Sequence, residues 1–231
     1  FFQLLEQRFK APGDFAQARN PTGAKISSWT REETRATTNR SELFLPAGKT
    51  MAASAWKLPG MNERQTFAFD LGVSAVCDED WGSLRKDLVL ERKIAVSVSC
   101  GTRIQSDYSL LIATATAGQQ ADAEVLSRAL REHVESAAAK GVSQEQLERA
   151  RLTELNAYER IENAHDQLAS LLSQAEVAGD WRLYFWQRDM VKAVTLDEVN
   201  AALRKWTVAV NRSDVLLRHG EGVAAPELPT L

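Results

Sequence analysis

The sequence predicts an α+β sandwich, and three observations carry that expectation. Short runs with period-two or β-rich character fall at residues 41–46, 51–58, 94–100, 107–116 and 214–219. The segments among and after them carry apolar residues at steps of three and four, the spacing of a helix buried on one face. Two capping boxes, Ser143 with Gln146 and Thr195 with Glu198, mark helix starts. The order is strand, strand, helix, helix, strand, strand, helix, long helix, helix, helix, strand, with the last strand returning to the same sheet.

Taken in order, residues 1–10 place Phe2, Leu5 and Phe9 on one helical face, and the polar stretch that follows is broken by Pro12-Gly13 and Asn20-Pro21. Residues 1–40 therefore read as a helix end and linker from a preceding domain. Phe1-Phe2-Gln3 in place of an initiator Met fits a fragment, with any targeting signal upstream. Ser41–Pro46 and Met51–Leu58 read as two short strands across the Ala47-Gly48-Lys49 turn, and Pro59-Gly60 stops the second. Glu63–Cys77 and Trp81–Arg92 read as helices, the second placing Leu84, Leu88 and Glu91 together. Ile94, Val96, Val98 and Cys100 then alternate with Ala95, Ser97 and Ser99, predicting a half-buried strand whose partner is Asp107–Thr116.

In the second half, Leu126, Leu130, Val134 and Ala137 form the stripe of a helix that Gly141 ends. From Ser143 one long helix is predicted up to Gly179, striped by Tyr158, Ile161, His165, Leu168, Leu172 and Ala175. Asp180 caps the next helix, rich in Trp181, Leu183, Phe185 and Trp186; another runs from Thr195 to Trp206, and Asp214–His219 closes as a strand. The domain is thus expected over 41–220, with a flexible tail at 221–231 carrying Pro226 and Pro229.

Composition narrows the function. With 44% hydrophobic residues in 231, the chain is globular, and its longest apolar runs, such as Leu110–Ala113, fall far short of the roughly 20 residues that cross a bilayer. Lys and Arg total 28 against 31 Asp and Glu, a formal net charge of -3 with signs interleaved, which argues against nucleic acid as a partner. Two cysteines, Cys77 and Cys100, cannot build a metal knuckle or a disulfide framework; a single bridge is formally open, but buried free thiols are the expectation.

Four phrases in this order resemble the insulinase/pitrilysin family of zinc peptidases: Trp56-Lys57-Leu58-Pro59-Gly60; Leu88-Val89 through Lys93-Ile94-Ala95-Val96-Ser97-Val98; Lys140-Gly141-Val142-Ser143 through Ala150; and Ala193-Val194-Thr195-Leu196-Asp197-Glu198-Val199-Asn200. The resemblance spans about residues 42–220. It implies a two-layer sandwich of a mainly antiparallel sheet on helices, as one of two homologous halves that close like a clamshell, one half holding zinc and the other forming the facing wall of the substrate chamber. It implies a zinc-bearing catalytic domain or subunit as partner and a peptide as substrate.

An inverted zincin needs two histidines four apart with a glutamate before the second, so that both imidazoles meet one metal and the carboxylate activates its water. This chain has only His133, His165 and His219, and none lies in an H-x-x-E-H string. No catalytic or metal-binding residue is therefore assigned, no cofactor is expected in this chain, and zinc is expected in the partner half. Glu162 and His165, three apart, read as a packed histidine on an apolar stripe rather than a ligand pair, His133 with Glu135 as a solvated helix edge, and His219 has no assigned role. Active members of the family commonly carry an arginine and a tyrosine seven apart that reach the substrate near zinc; the matching positions here are Val89 and Val96, and neither side chain donates a hydrogen bond. Nearby Arg85, Arg92 and Arg103 read as surface charge. The leading expectation is the non-catalytic half of a zinc endopeptidase, which binds peptide by strand addition if it binds it at all. The alternatives are an inactive scaffold subunit of the family and a free-standing ligand-binding domain. The Ala- and Arg-rich composition and the brevity of the domain point to a bacterial protein; the compartment is not written in these residues, the periplasm being favoured if the source is bacterial.

Overall fold

The computed structural model describes residues 37–46, 48–60, 64–77, 83–104, 108–119, 121–177 and 180–220. The chain divides into two units, Phe1–Thr34 and Arg35–Leu231, and every described residue belongs to the second. Of the helix end and linker expected over 1–40, residues 1–36 lie outside the described residues, while Asn39 and Arg40 already belong to the first strand; the tail expected over 221–231 also lies outside the described residues.

Among the described residues five strands form one sheet: β1 (Asn39–Leu45), β2 (Met51–Pro59), β3 (Ala95–Arg103), β4 (Tyr108–Ala117) and β5 (Arg212–His219). The order across the sheet is β1-β5-β2-β4-β3, with β1 parallel to β5 and every other pair antiparallel. Among the described residues seven helices accompany it: α1 (Arg64–Cys77), α2 (Ser83–Arg85), α3 (Ala123–Lys140), α4 (Gln144–Glu162), α5 (His165–Val177), α6 (Leu183–Ala193) and α7 (Leu196–Trp206). The α+β sandwich with a mainly antiparallel sheet is therefore the fold observed.

Strict alternation on β2 explains the layering. Ala52, Ser54, Trp56 and Leu58 are buried and their neighbours half-buried, as a pleated strand with helices on one face demands. On β4 the buried set is Ser109, Leu111, Ala113 and Ala115, and α3 packs across both strands. Trp56, Leu126, Leu130, Leu147 and Val199 are fully buried at the centre of the core.

Capping residues set the helix starts. Asp122 accepts the amides of Glu124 and Val125 at α3, and both predicted capping boxes close, at Ser143 and Thr195. Gly141, with φ +81°, ends α3 where a Cβ would lie 2.5 Å from Asn200 Oδ1. Asn200 of α7 uses that space to bond both the N–H and the C=O of Val142. Helices α1 and α7 approach at Gly72, where a Cβ would meet Leu203 and Val199 at 2.9 Å, and Arg64 forks onto Glu198 across the same pair.

Four expectations are corrected. First, β1 and β2 are not neighbours across their turn: β5, returning from the far end of the chain, lies between them. Second, the long helix from Ser143 is two helices. The side-chain amide of Asn163 donates to the Glu159 carbonyl, and the Ala164 amide reaches only to Ile161, so local bonds displace the helical ladder and α5 begins afresh at His165. Third, β3 does not keep one apolar face. Between Ala95 and Ser97 two steps oppose one on β4, so Val96 is the extra residue of a bulge and is 50% exposed. Fourth, Cys77 and Cys100 are not free thiols. The end of α1 lies against the middle of β3 with 5.3 Å between Cα atoms, and the two form a disulfide.

Candidate substrate-facing wall

The segment that carries Val89 and Val96 is closed into a ring by the Cys77–Cys100 disulfide. Within it α2 gives way to a π-helical turn, Lys86–Glu91. Leu84 and Leu88 anchor this passage in the core at 3% and 0% exposure. The turn ends with Lys93 in the left-handed region at φ 54°, and the Ile94 amide reaches back to the Leu88 carbonyl at 3.1 Å. Val89 is half-buried against the core, whereas Val96 stands out on the bulge. Arg85, Arg92 and Arg103 are exposed, as expected of surface charge.

Strand β3 is one of the two edges of the sheet, with β1 at the other. It pairs with β4 on one side, and no strand among the described residues pairs with the other. Ser97, Ser99 and Gly101 are exposed, while Cys100 and Thr102 alternate with them and tie the strand to α1. Thr102 donates its hydroxyl proton to Asp70 of α1. Burial first, and then the charge of Glu154 on α4, push the Asp70 carboxyl up to about 6, against the lowering effect of Thr102. Glu154 in turn accepts a hydrogen bond from Ser74, 3.1 Å.

His133 is not a solvated helix edge, which corrects the sequence reading. Its Nδ1 lies 2.8 Å from Asp87 Oδ2 and its Nε2 lies 2.8 Å from Ser83 Oγ, so this α3 histidine ties the start of α2 to the first residues of the π turn. Arg92 stands 3.9 Å from the same Asp87 oxygen. Sequence reasoning missed Ser83 and Asp87. They are four apart on a predicted helix, which was legible, but their histidine comes from another element.

Glu135 is likewise engaged. It accepts from Arg212 and, at 3.3 Å, from the Trp56 indole. Arg212 Nε also donates to Asp214, 2.9 Å, which takes the Ser54 hydroxyl at 2.6 Å. These bonds satisfy two charged residues of β5 that face the helices.

Glu162 and His165 are not brought together: Glu162 pairs with Arg188 at 2.8 Å, and His165 is exposed at the start of α5 rather than packed on a stripe. His219 ends β5, its amide 3.2 Å from Thr50 Oγ1. The three histidines sit on α3, α5 and β5, and among the described residues no group of three His, Cys, Asp or Glu side chains converges as metal ligands. The donor set does not fit zinc. Among the described residues no helix is long and apolar enough to cross a membrane.

Comparison with known proteins agrees with this geometry. Residues 9–154 match the family model of the peptidase M16 inactive domain. The inactive peptidase domain of a Bordetella parapertussis protein assigned as a zinc protease is similar at 30% identity and TM-score 0.68, covering 73% of this chain and 92% of that one. A protein assigned as a zinc protease from Bordetella pertussis gives 32% identity and TM-score 0.68, covering 74% of this chain and 94% of the other. A Helicobacter pylori protease shares the fold at TM-score 0.82 and 13% identity, over 94% of this chain and 51% of its own length. None of the curated proteins matches.

Proposed function

The chain belongs to the M16 family of zinc peptidases, the insulinase/pitrilysin family, as its inactive domain, and from that premise we propose that it is the half that closes a substrate chamber opposite a zinc-bearing half. The zinc half supplies the metal and the hydrolysis. This half supplies the opposite wall, and the open edge of β3 gives an extended peptide a row of main-chain donors and acceptors to pair with. The exposure of Ser97, Ser99 and Gly101 on that edge is the observation that carries the peptide-binding part of this reading. Small side chains there leave room for a visiting strand; Lys and Pro are absent from β3, and its edge-disrupting features, the Val96 bulge and the charge of Arg103, flank the Ser97–Gly101 stretch rather than interrupt it. The disulfide supports an oxidising compartment, which for a bacterial protein means the periplasm or beyond.

The test is reconstitution. The chain is mixed with a zinc-bearing M16 half from the same source, and hydrolysis of an unstructured peptide is followed with and without a chelator. Chelator-sensitive hydrolysis in the mixture and in neither component alone is the expected result; hydrolysis that is unchanged when this chain is omitted overturns the proposal. Valines at positions 89 and 96, which supply no hydrogen-bond donor, favour the scaffold reading as the second choice. A complex that forms but is silent on every peptide would establish it.

A further inference from the structure

Ser83, His133 and Asp87 have the connectivity of an activated nucleophile, and nothing in the M16 reading uses them. A carboxylate only accepts hydrogen bonds, so the 2.8 Å contact to Asp87 fixes the proton of the neutral imidazole on Nδ1. Nε2 is then left with its lone pair facing the Ser83 hydroxyl, also at 2.8 Å, which is the tautomer a general base requires. Access follows the same polarity. Ser83 is exposed, the His133 side chain is 15% exposed and that of Asp87 26%. The base and its orienting acid are thus partly shielded, while the serine is an exposed residue. The three groups are placed by packed elements, Ser83 and Asp87 around buried Leu84 and Leu88, and His133 next to buried Val134.

We propose that Ser83 is a nucleophile activated by His133 and oriented through Asp87, reacting with acyl esters and related electrophiles that reach it at the surface. As Ser83 Oγ bonds to the carbonyl carbon, its proton passes to Nε2 and the carbonyl π pair moves to oxygen. Collapse breaks the bond to the leaving alkoxide, which takes the proton from Nε2 and departs as an alcohol. Water then repeats the sequence on the acyl-serine, with Nε2 taking its proton, and releases the carboxylic acid. Asp87 stabilises the imidazolium formed in each half without taking its proton.

The experiment treats the purified chain with a fluorophosphonate probe in the presence of a zinc chelator and locates the label by peptide mass spectrometry. The serine oxygen displaces fluoride from phosphorus, so the probe reads nucleophilicity alone. The expected result is labelling at Ser83, lost in Ser83→Ala. Asp87→Asn is the decisive variant: an amide donates to Nδ1, moves the imidazole proton to Nε2, and slows labelling by on the order of 10²-fold or more while circular dichroism stays unchanged. His133→Gln slows it similarly. No label at Ser83, or a rate that neither variant changes, overturns the proposal and leaves the cluster as a clamp between α3 and the α2–π passage. Because the assay contains no zinc half, its failure leaves the chamber-wall reading standing, and failure of that reading leaves this one standing.

Discussion

Replacing Asp70 with Asn isolates the cost of a charge held under the helices. In the folded chain this carboxyl is raised from 3.8 to about 6, chiefly by burial. Between those two pH values the folded protein keeps a proton that the unfolded chain has released, so unfolding frees a proton and stability falls as pH rises through the window. At about 1.4 kcal/mol per pH unit the fall amounts to about 3 kcal/mol at most. Asp70 keeps a half-buried rim, so solvent screens part of it and about 1–2 kcal/mol is expected. Asn has no proton to lose, and its amide oxygen still accepts from Thr102. Asp70→Asn should therefore match the parent in urea unfolding near pH 4 and exceed it by that amount at pH 7.5, with the denaturant slope unchanged. A variant no more stable at pH 7.5, or equally more stable at every pH, would refute the argument, because it would place the carboxyl in an environment that does not resist ionisation.

Two further outcomes follow from packing and covalent closure. Gly72→Ala gains about 0.5–1 kcal/mol of helix propensity but drives a methyl to 2.9 Å from fully buried Leu203 and Val199, an overpacking cost of about 1–3 kcal/mol; a net loss of about 1 kcal/mol should show as a lower urea midpoint, and a higher midpoint would contradict the close approach. Denatured, unreduced chain should titrate with no free thiol, and Cys77→Ser with Cys100→Ser should lose about 3 kcal/mol; two thiols per chain would show that the bridge does not form.

Local chemistry was the legible part of the fold. Ser143 and Thr195 cap as their spacing predicts, because a capping box needs only residues three apart. The alternation on β2 and the stripe of α3 likewise follow from single segments. What escaped the sequence depended on partners far along the chain or on one competing bond. The reading of β1 and β2 as two strands across a turn could not show that they are not neighbours, because β5, which lies between them, comes more than 150 residues later, with Asp214 finding Ser54 at a separation of 160. The apolar period runs on through Asn163, whose side chain still breaks the helix. Val96 keeps the strand alternation in sequence and loses it to a bulge set by pairing with β4. At the candidate site the absence of an H-x-x-E-H string could be read directly. The His133 cluster and the Cys77–Cys100 bridge could not, since each joins residues whose proximity only the packing of α1, α3 and β3 creates.

The insertion of β5 between β1 and β2 also sets a timetable for synthesis on the ribosome. Residues of β2 leave the exit tunnel about 160 residues ahead of the strand that must lie beside them, which at 5–20 residues per second is a delay of roughly 8–30 s. Until then β1 has no neighbour in the sheet, and Leu43, Phe44 and Leu45 sit on an open strand. β2 can meanwhile pair only with β4. Nascent chains halted before Arg212 would therefore hold a sheet of β2, β4 and β3 in which the β2 edge is open as well as that of β3, a form apt to bind a holdase chaperone or to aggregate. The final eight-residue strand, once released, converts that intermediate into the finished sheet.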